Sequence, residues 1–179
     1  MNRQSYLKLI VGLSLVLGSV VRADDVTALQ AKADKSIANA EQVVANVRAE
    51  LDGYKKILAT VPKQTSEYQE IKQYVAKATV AWKKTIVALD SSKKFANRIS
   101  KVSSPDLANK FALLAVGSAN VAQAGAESVE MCLYFVEAVA TKNRTGVAII
   151  RGTIVSSFDN IAQAEGCYKR VKKLIAEGK

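Results

Sequence analysis

The chain has 179 residues, with 26 Lys and Arg against 16 Asp and Glu, and a formal net charge of +10. It contains no histidine, which is the commonest general base and the commonest side-chain ligand of metals in proteins. The HExxH, GxSxG and P-loop motifs are also absent. The sequence therefore predicts a non-enzymatic protein with no cofactor and no bound metal.

Residues 1–23 form a leader with basic residues near its start, an apolar run over residues 9–21 and the small residue Ala23 at its end. This pattern is typical of a secretory signal peptide, since the apolar run falls short of the roughly 20 residues of a membrane span. We therefore expect cleavage after Ala23, a single helical domain over residues 24–179, and a secreted or periplasmic location. Without the leader the net charge is +7, which favours acidic partners. Export argues against nucleic acid as a partner.

Apolar or small residues recur every three or four positions along four long segments, which is typical of helices buried along one side. The first segment covers residues 33–61, and Pro62 ends it because proline lacks the N–H that a continuing helix needs. The second covers residues 68–99, and we predict a capping box of Ser66 and Gln69 at its start.

The third segment covers residues 107–139 and follows Ser104 and Pro105, an N-cap residue and a proline at the first helical position. The fourth covers residues 147–175. Because the breaks between segments are short, we predict an all-α fold, an antiparallel up-and-down four-helix bundle with long helices. The alternative is two long helical hairpins that form a bundle only by dimerising, so a monomer and a homodimer both stay open.

The third segment carries no charged residue from Phe111 to Ala126. We interpret it as a helix at the middle of the bundle, because a helix that is apolar all round is usually buried. The alternative is a membrane-active helix that leaves the bundle, as in helical pore-forming toxins. Elsewhere in the core we expect Trp82 and Phe135, in or near its centre.

The densest basic cluster lies near the end of the chain and consists of Lys169, Arg170, Lys172 and Lys173. Such a cluster predicts docking to an anionic surface, either a glycan or a lipid membrane. Capping of the last helix through its dipole explains the cluster equally well.

Three carboxylates, Glu127, Glu130 and Glu137, share one side of the third helix. Nothing around them in the sequence marks acid–base or metal chemistry. We predict a solvated face that forms ion pairs with basic residues of the neighbouring helices.

Asn143, Arg144 and Thr145 form an N-glycosylation sequon in a predicted loop of an exported chain. Asn143 is therefore a candidate glycosylation site if the source is a eukaryote. The sequence leaves the source open.

The two cysteines, Cys132 and Cys167, predict one intramolecular disulfide, because an oxidising compartment favours bridges in an exported chain. Helix geometry sets a condition on this bridge. The chain must reverse between residues 149 and 150, inside the stretch bounded by Gly146 and Gly152, to bring the cysteines level. A disulfide between two chains is the alternative.

This plan resembles the plant inhibitors of invertase and pectin methylesterase, which are secreted four-helix bundles with a disulfide between two helices. The resemblance covers architecture and not motif, so it assigns no residue roles, although Cys132 and Cys167 could take the part of that bridge. It keeps inhibition of a partner among the roles considered. The chain departs from these inhibitors because it has no cysteine before Cys132, whereas they open with a cysteine-stapled hairpin.

We predict that the protein binds a macromolecular partner in adhesion, inhibition or an effector role. The partner is an unidentified protein or an anionic surface. A membrane-active or pore-forming protein and a carrier of small molecules or lipids are the alternatives.

Overall fold

The computed structural model describes residues 23–177, so the predicted signal peptide lies outside the described residues except for its last position. Four helices and no strand occupy this range. They are α1 (Ala23–Thr60), α2 (Ser66–Ile99), α3 (Pro105–Ala140) and α4 (Arg144–Ala176). The predicted all-α class is confirmed, and the arrangement resembles a helical bundle.

Side-chain caps begin three of the helices, α2, α3 and α4. Ser104 starts α3 as predicted, because its side chain accepts a hydrogen bond from the N–H of Leu107 and Pro105 follows it. The predicted capping box of α2 is wrong by one position. Thr65 is the N-cap, since its backbone is extended and its hydroxyl accepts from the N–H of Tyr68, while Ser66 is already helical.

The core centres on α3, which packs along α1, α2 and α4. Its uncharged stretch lies among these three helices, so the prediction of a buried helix is confirmed. Phe135 of α3 is fully buried, and Trp82 of α2 is half-buried against the core. Within the described residues, no helix contains a stretch apolar enough to cross a bilayer.

Small residues let the helices approach α3 closely. A methyl group added at Gly125 would lie 2.1 Å from the Thr85 hydroxyl oxygen of α2, and one at Gly117 would lie 3.1 Å from the Tyr168 ring of α4. Helix backbones can come this near only where one side chain is reduced to hydrogen. Gly125 therefore permits the close contact of α3 with α2, and Gly117 leaves room for the Tyr168 ring of α4.

The chain reverses between α3 and α4 at residues 141–143, where Lys142 adopts a positive φ of 55° and Asn143 caps α4. The reversal between residues 149 and 150 that the disulfide requires does not occur, because Val147, Ile149 and Ile150 lie within α4, which Asn143 has already capped.

The predicted Cys132–Cys167 disulfide is also wrong, because both cysteines are free. Gly117 faces Tyr168, the neighbour of Cys167. Cys132 lies fifteen positions further along α3, or about 22 Å along the helix axis. A disulfide spans at most about 7 Å between Cα atoms.

Candidate binding groove

Helices α2 and α4 run parallel, and their side chains meet at intervals of seven residues. Arg151 bonds Glu70 at 2.6 Å, across 81 positions of sequence. Lys77 lies over the Phe158 ring at 5.7 Å, and Lys84 pairs with Glu165 at 2.6 Å. In each of the three contacts the residue of α4 is 81 positions after its partner in α2. A constant difference of this kind means that the two helices are parallel, and contacts that recur every seven residues recur every two helical turns.

Beyond the last of these pairs the two helices leave a groove of about 490 Å³. We call it the α2/α4 groove. Ser118 and Val121 of α3 form its floor. Its walls come from both flanking helices: Lys83, Lys84, Val87, Ala88 and Ser91 of α2, and Glu165, Tyr168, Lys169 and Lys172 of α4.

The lining of the groove is positively charged, with four lysines against one carboxylate. Lys84 pairs with that carboxylate, Glu165, and Lys172 lies over the Tyr168 ring at 5.8 Å. The positive charges of Lys83, Lys169 and Lys172 are not balanced by a carboxylate of the lining, and the protein walls of the groove strengthen their electric field because their dielectric constant is low. The groove is therefore arranged to attract an anion.

Exposed apolar residues continue the groove along both helices. Val80 and Val87 of α2 are 56% and 67% exposed, and Val155 of α4 is 53% exposed. Residues three or four apart share a helix face, so Val80 lies on the same edge of α2 as Lys77 and Lys84. By the same spacing Val155 lies on the edge of α4 that meets α2. We call the exposed Val80, Val87, Val155 and Ala162 the α2/α4 seam.

A buried hydroxyl group at the floor of the groove lacks a partner. Ser118 is 1% exposed, and its Oγ makes no hydrogen bond within the described chain. By contrast, the Ser128 hydroxyl lies 2.8 Å from two carbonyl oxygens, those of Ala124 and Ser157.

We expect these two serines to respond differently to replacement by alanine. Ser118→Ala should leave the free energy of unfolding unchanged or raise it, because it removes an unsatisfied polar group, whereas Ser128→Ala should lower it by about 1 kcal/mol. Urea denaturation of both variants measures the difference. Equal losses would show that Ser118 has a hydrogen-bond partner in solution.

The structure divides the predicted basic cluster. Lys169 and Lys172 line the groove, whereas Arg170 and Lys173 are exposed outside it. The predicted basic cluster did not include Lys83 and Lys84, which are far away in the chain and reach the groove because α2 and α4 both pack against α3. A doublet of lysines on a helix gives no sign of such a neighbour.

Two of the three predicted carboxylates of α3, Glu127 and Glu130, accept hydrogen bonds from neutral groups. Gln123 donates to Glu127 at 2.8 Å, and the Tyr134 hydroxyl donates to Glu130 at 3.1 Å. The predicted ion pairs of Glu127, Glu130 and Glu137 are therefore wrong for the described part of the chain. Burial, followed by the charges of Glu130 and Glu137, raises the pKa of Glu50 on α1. Among the described residues, no cluster of acids and cysteines is arranged to hold a metal ion.

Asn143 is exposed, as a glycosylation site requires, and its side-chain oxygen accepts from the N–H of Gly146 at 2.9 Å. Glycosylation would use the amide nitrogen and leave this oxygen in place. The modification itself stays a prediction.

The two thiols differ in environment, which gives a direct test of their state. Burial raises the pKa of Cys132 to about 12, and its Sγ contacts the Tyr74 carbonyl oxygen at 3.7 Å, whereas Cys167 is exposed. The thiolate is the reactive form of cysteine. We therefore expect the exposed Cys167 of the native protein to react rapidly with a disulfide reagent at pH 8, and the buried Cys132 to react only on unfolding. Intact mass after alkylation checks the count, and a native chain without free thiols would restore the predicted disulfide.

Comparison with protein-family models, with curated proteins and with solved structures finds no match to this chain. Its function is therefore inferred from the groove itself.

Proposed function

We propose that this is an exported, non-enzymatic four-helix bundle that binds an anionic macromolecular partner through the α2/α4 groove. One observation carries the proposal: four lysines from two helices converge on an open groove that holds a single carboxylate. Two of these lysines, Lys169 and Lys172, belong to the basic cluster seen in the sequence. The leader and the +7 charge of residues 24–179 support export and an acidic partner.

The groove also supports a second candidate function, a carrier of small anionic ligands. Its volume of about 490 Å³ lies within the range of small-molecule sites. Such sites usually bury most of their ligand, whereas this groove is open to solvent along the α2/α4 seam. A macromolecular partner therefore fits the surface better. The membrane-active alternative is disfavoured because α3 could leave the bundle only by separating from three helices.

Charge reversal in the groove tests the proposed function. In the groove variant Lys83, Lys169 and Lys172 are replaced by Glu, while Lys84 is kept because it pairs with Glu165. The control variant replaces the exposed Lys35, Lys63 and Lys101 by Glu, so both variants lose the same net charge. Retention on immobilised heparin and on vesicles of equal phosphatidylcholine and phosphatidylglycerol is measured against salt concentration.

We expect the groove variant to lose salt-sensitive retention, and the control variant to keep most of it, because fields focused in a groove act on nearby ligands more than dispersed charges do. Circular dichroism of both variants checks that the helices are intact. Equal loss in the two variants would mean that only the net charge of the protein matters, and would refute the proposed function.

A further inference from the structure

The ladder of contacts between α2 and α4 stops where the groove begins. Going up the two helices, Glu70 meets Arg151, Lys77 meets Phe158 and Lys84 meets Glu165. The next positions in this register are Ser91 and Lys172, which line the groove. The Ser91 hydroxyl bonds within its own helix, to the carbonyl oxygen of Val87. A carboxylate supplied from outside would complete the ladder at Lys172.

The seam has the length and spacing of a helix-binding surface. Val80 and Val87 are seven residues apart on α2, and Val155 lies on α4 at the level of residue 74 of α2 in the same register. From that level to Val87 is thirteen residues, or about 20 Å along the axis. A helix of about 14 residues covers this length and can place apolar side chains at i, i+3, i+4 and i+7 against two parallel helices.

The charge of the seam is uneven, which orients such a helix. The lysines cluster at the groove, around Val87, while at the opposite end Arg151 is paired with Glu70. A partner helix therefore fits best with its acidic residues over the groove and its apolar stripe along the valines.

From these observations we infer that the α2/α4 seam binds an acidic amphipathic α-helix of a partner protein. The inference rests on the proposed function and names the partner class for the same groove. A lipid surface is the less suitable occupant, because membrane-surface sites use Trp, Phe and Leu, whereas the exposed seam offers only Val and Ala.

A designed peptide tests the inference. The probe is a labelled 14-residue peptide with Leu at the two apolar positions of each heptad, Glu at the flanking positions and Ala elsewhere, with both termini blocked. Its control has the same composition in scrambled order. Binding is measured by fluorescence anisotropy to the full secreted chain, to a variant with Val80→Asn and Val87→Asn, and to Ile149→Asn. Ile149 is an exposed apolar residue of α4, two positions from Arg151 and hence on the opposite side of the helix.

We expect the striped peptide to bind the unmodified chain and Ile149→Asn alike, and to bind the double valine variant at least tenfold more weakly. The scrambled peptide should also bind at least tenfold more weakly. Heparin retention should be the same in all three proteins, because none of these changes alters charge.

Three results would overturn the inference. If both peptides bind equally, charge alone attracts the partner, and the proposed function survives without the helix. If the double valine variant loses vesicle binding while neither peptide binds, the seam contacts a membrane. If the valine changes do not affect peptide binding, the peptide binds elsewhere. Failure of the proposed function is recognised separately, by equal heparin retention of the groove and control charge variants.

Discussion

Replacing Phe135 by alanine is expected to lower the free energy of unfolding by about 3–5 kcal/mol. Phe135 is fully buried on α3, and its ring meets the Tyr74 ring of α2 edge to face, with centroids 5.1 Å apart. The Arg151 guanidinium of α4 lies 6.0 Å from the same ring. One side chain thus contacts two of the helices that surround α3, so its loss leaves a cavity at their junction.

Urea denaturation followed by circular dichroism measures this loss as a shift of the midpoint with an unchanged slope. Tyr134→Ala is the matched control, because Tyr134 is the adjacent aromatic residue of α3 and is exposed. We expect the control to cost less than about 1 kcal/mol, mainly through its hydrogen bond to Glu130. Similar losses in the two variants would mean that Phe135 is not at the centre of the core.

Adding a single methyl group at Gly125 is expected to separate α2 from α3. The methyl carbon of Gly125→Ala would lie 2.1 Å from the Thr85 Oγ1 and 3.3 Å from the Ala81 carbonyl oxygen. Thr85 is fully buried and its hydroxyl donates to that same carbonyl oxygen at 3.0 Å, so it has little room to move. We expect a loss of about 1–3 kcal/mol despite the higher helix propensity of alanine. Thermal and urea denaturation measure it.

A double-mutant cycle with Thr85→Ala isolates the contact. Thr85→Ala removes the hydroxyl that the new methyl group meets, so the pair Gly125→Ala and Thr85→Ala should lose less stability than the sum of the single changes. Gly152→Ala is the control, because nothing lies within 4 Å of a methyl group there, and it should stabilise the helix by about 0.5–1 kcal/mol. Additive losses in the cycle would contradict the close approach of α2 and α3.

Much of the fold could be predicted because helix periodicity is a local property. The spacing of apolar residues located all four helices, and Pro62 and the Ser104–Pro105 pair marked two of their boundaries. The uncharged stretch of α3 predicted a buried helix, since a helix that is apolar all round is usually enclosed by other helices. The sequence did not decide which of two neighbouring residues caps α2. Thr65 and Ser66 are both good N-caps, and only the backbone conformation decides between them.

The prediction of a disulfide between Cys132 and Cys167 was wrong because it depended on how two whole helices are aligned. The register of α4 against α3 depends on where the chain reverses, and an error of a few residues there moves every contact of α4 by several ångströms. Gly146 and Gly152 suggested a turn, but both are helical. The Asn143 cap and the positive φ of Lys142 complete the reversal earlier.

The amino-acid sequence by itself determined which segments are helical, which face of each is apolar, and that the protein is basic, because these properties depend on residues close together in the chain. Only the tertiary structure decided that α2 and α4 both pack against α3 and run parallel, so that long side chains of the two helices pair at a constant separation of 81 positions in sequence. That pairing places Lys83 beside Lys169 and Lys172 and leaves Val80, Val87 and Val155 along one exposed seam. Such a groove depends on helix–helix register, which is a property of the whole packed chain and which no local pattern encodes.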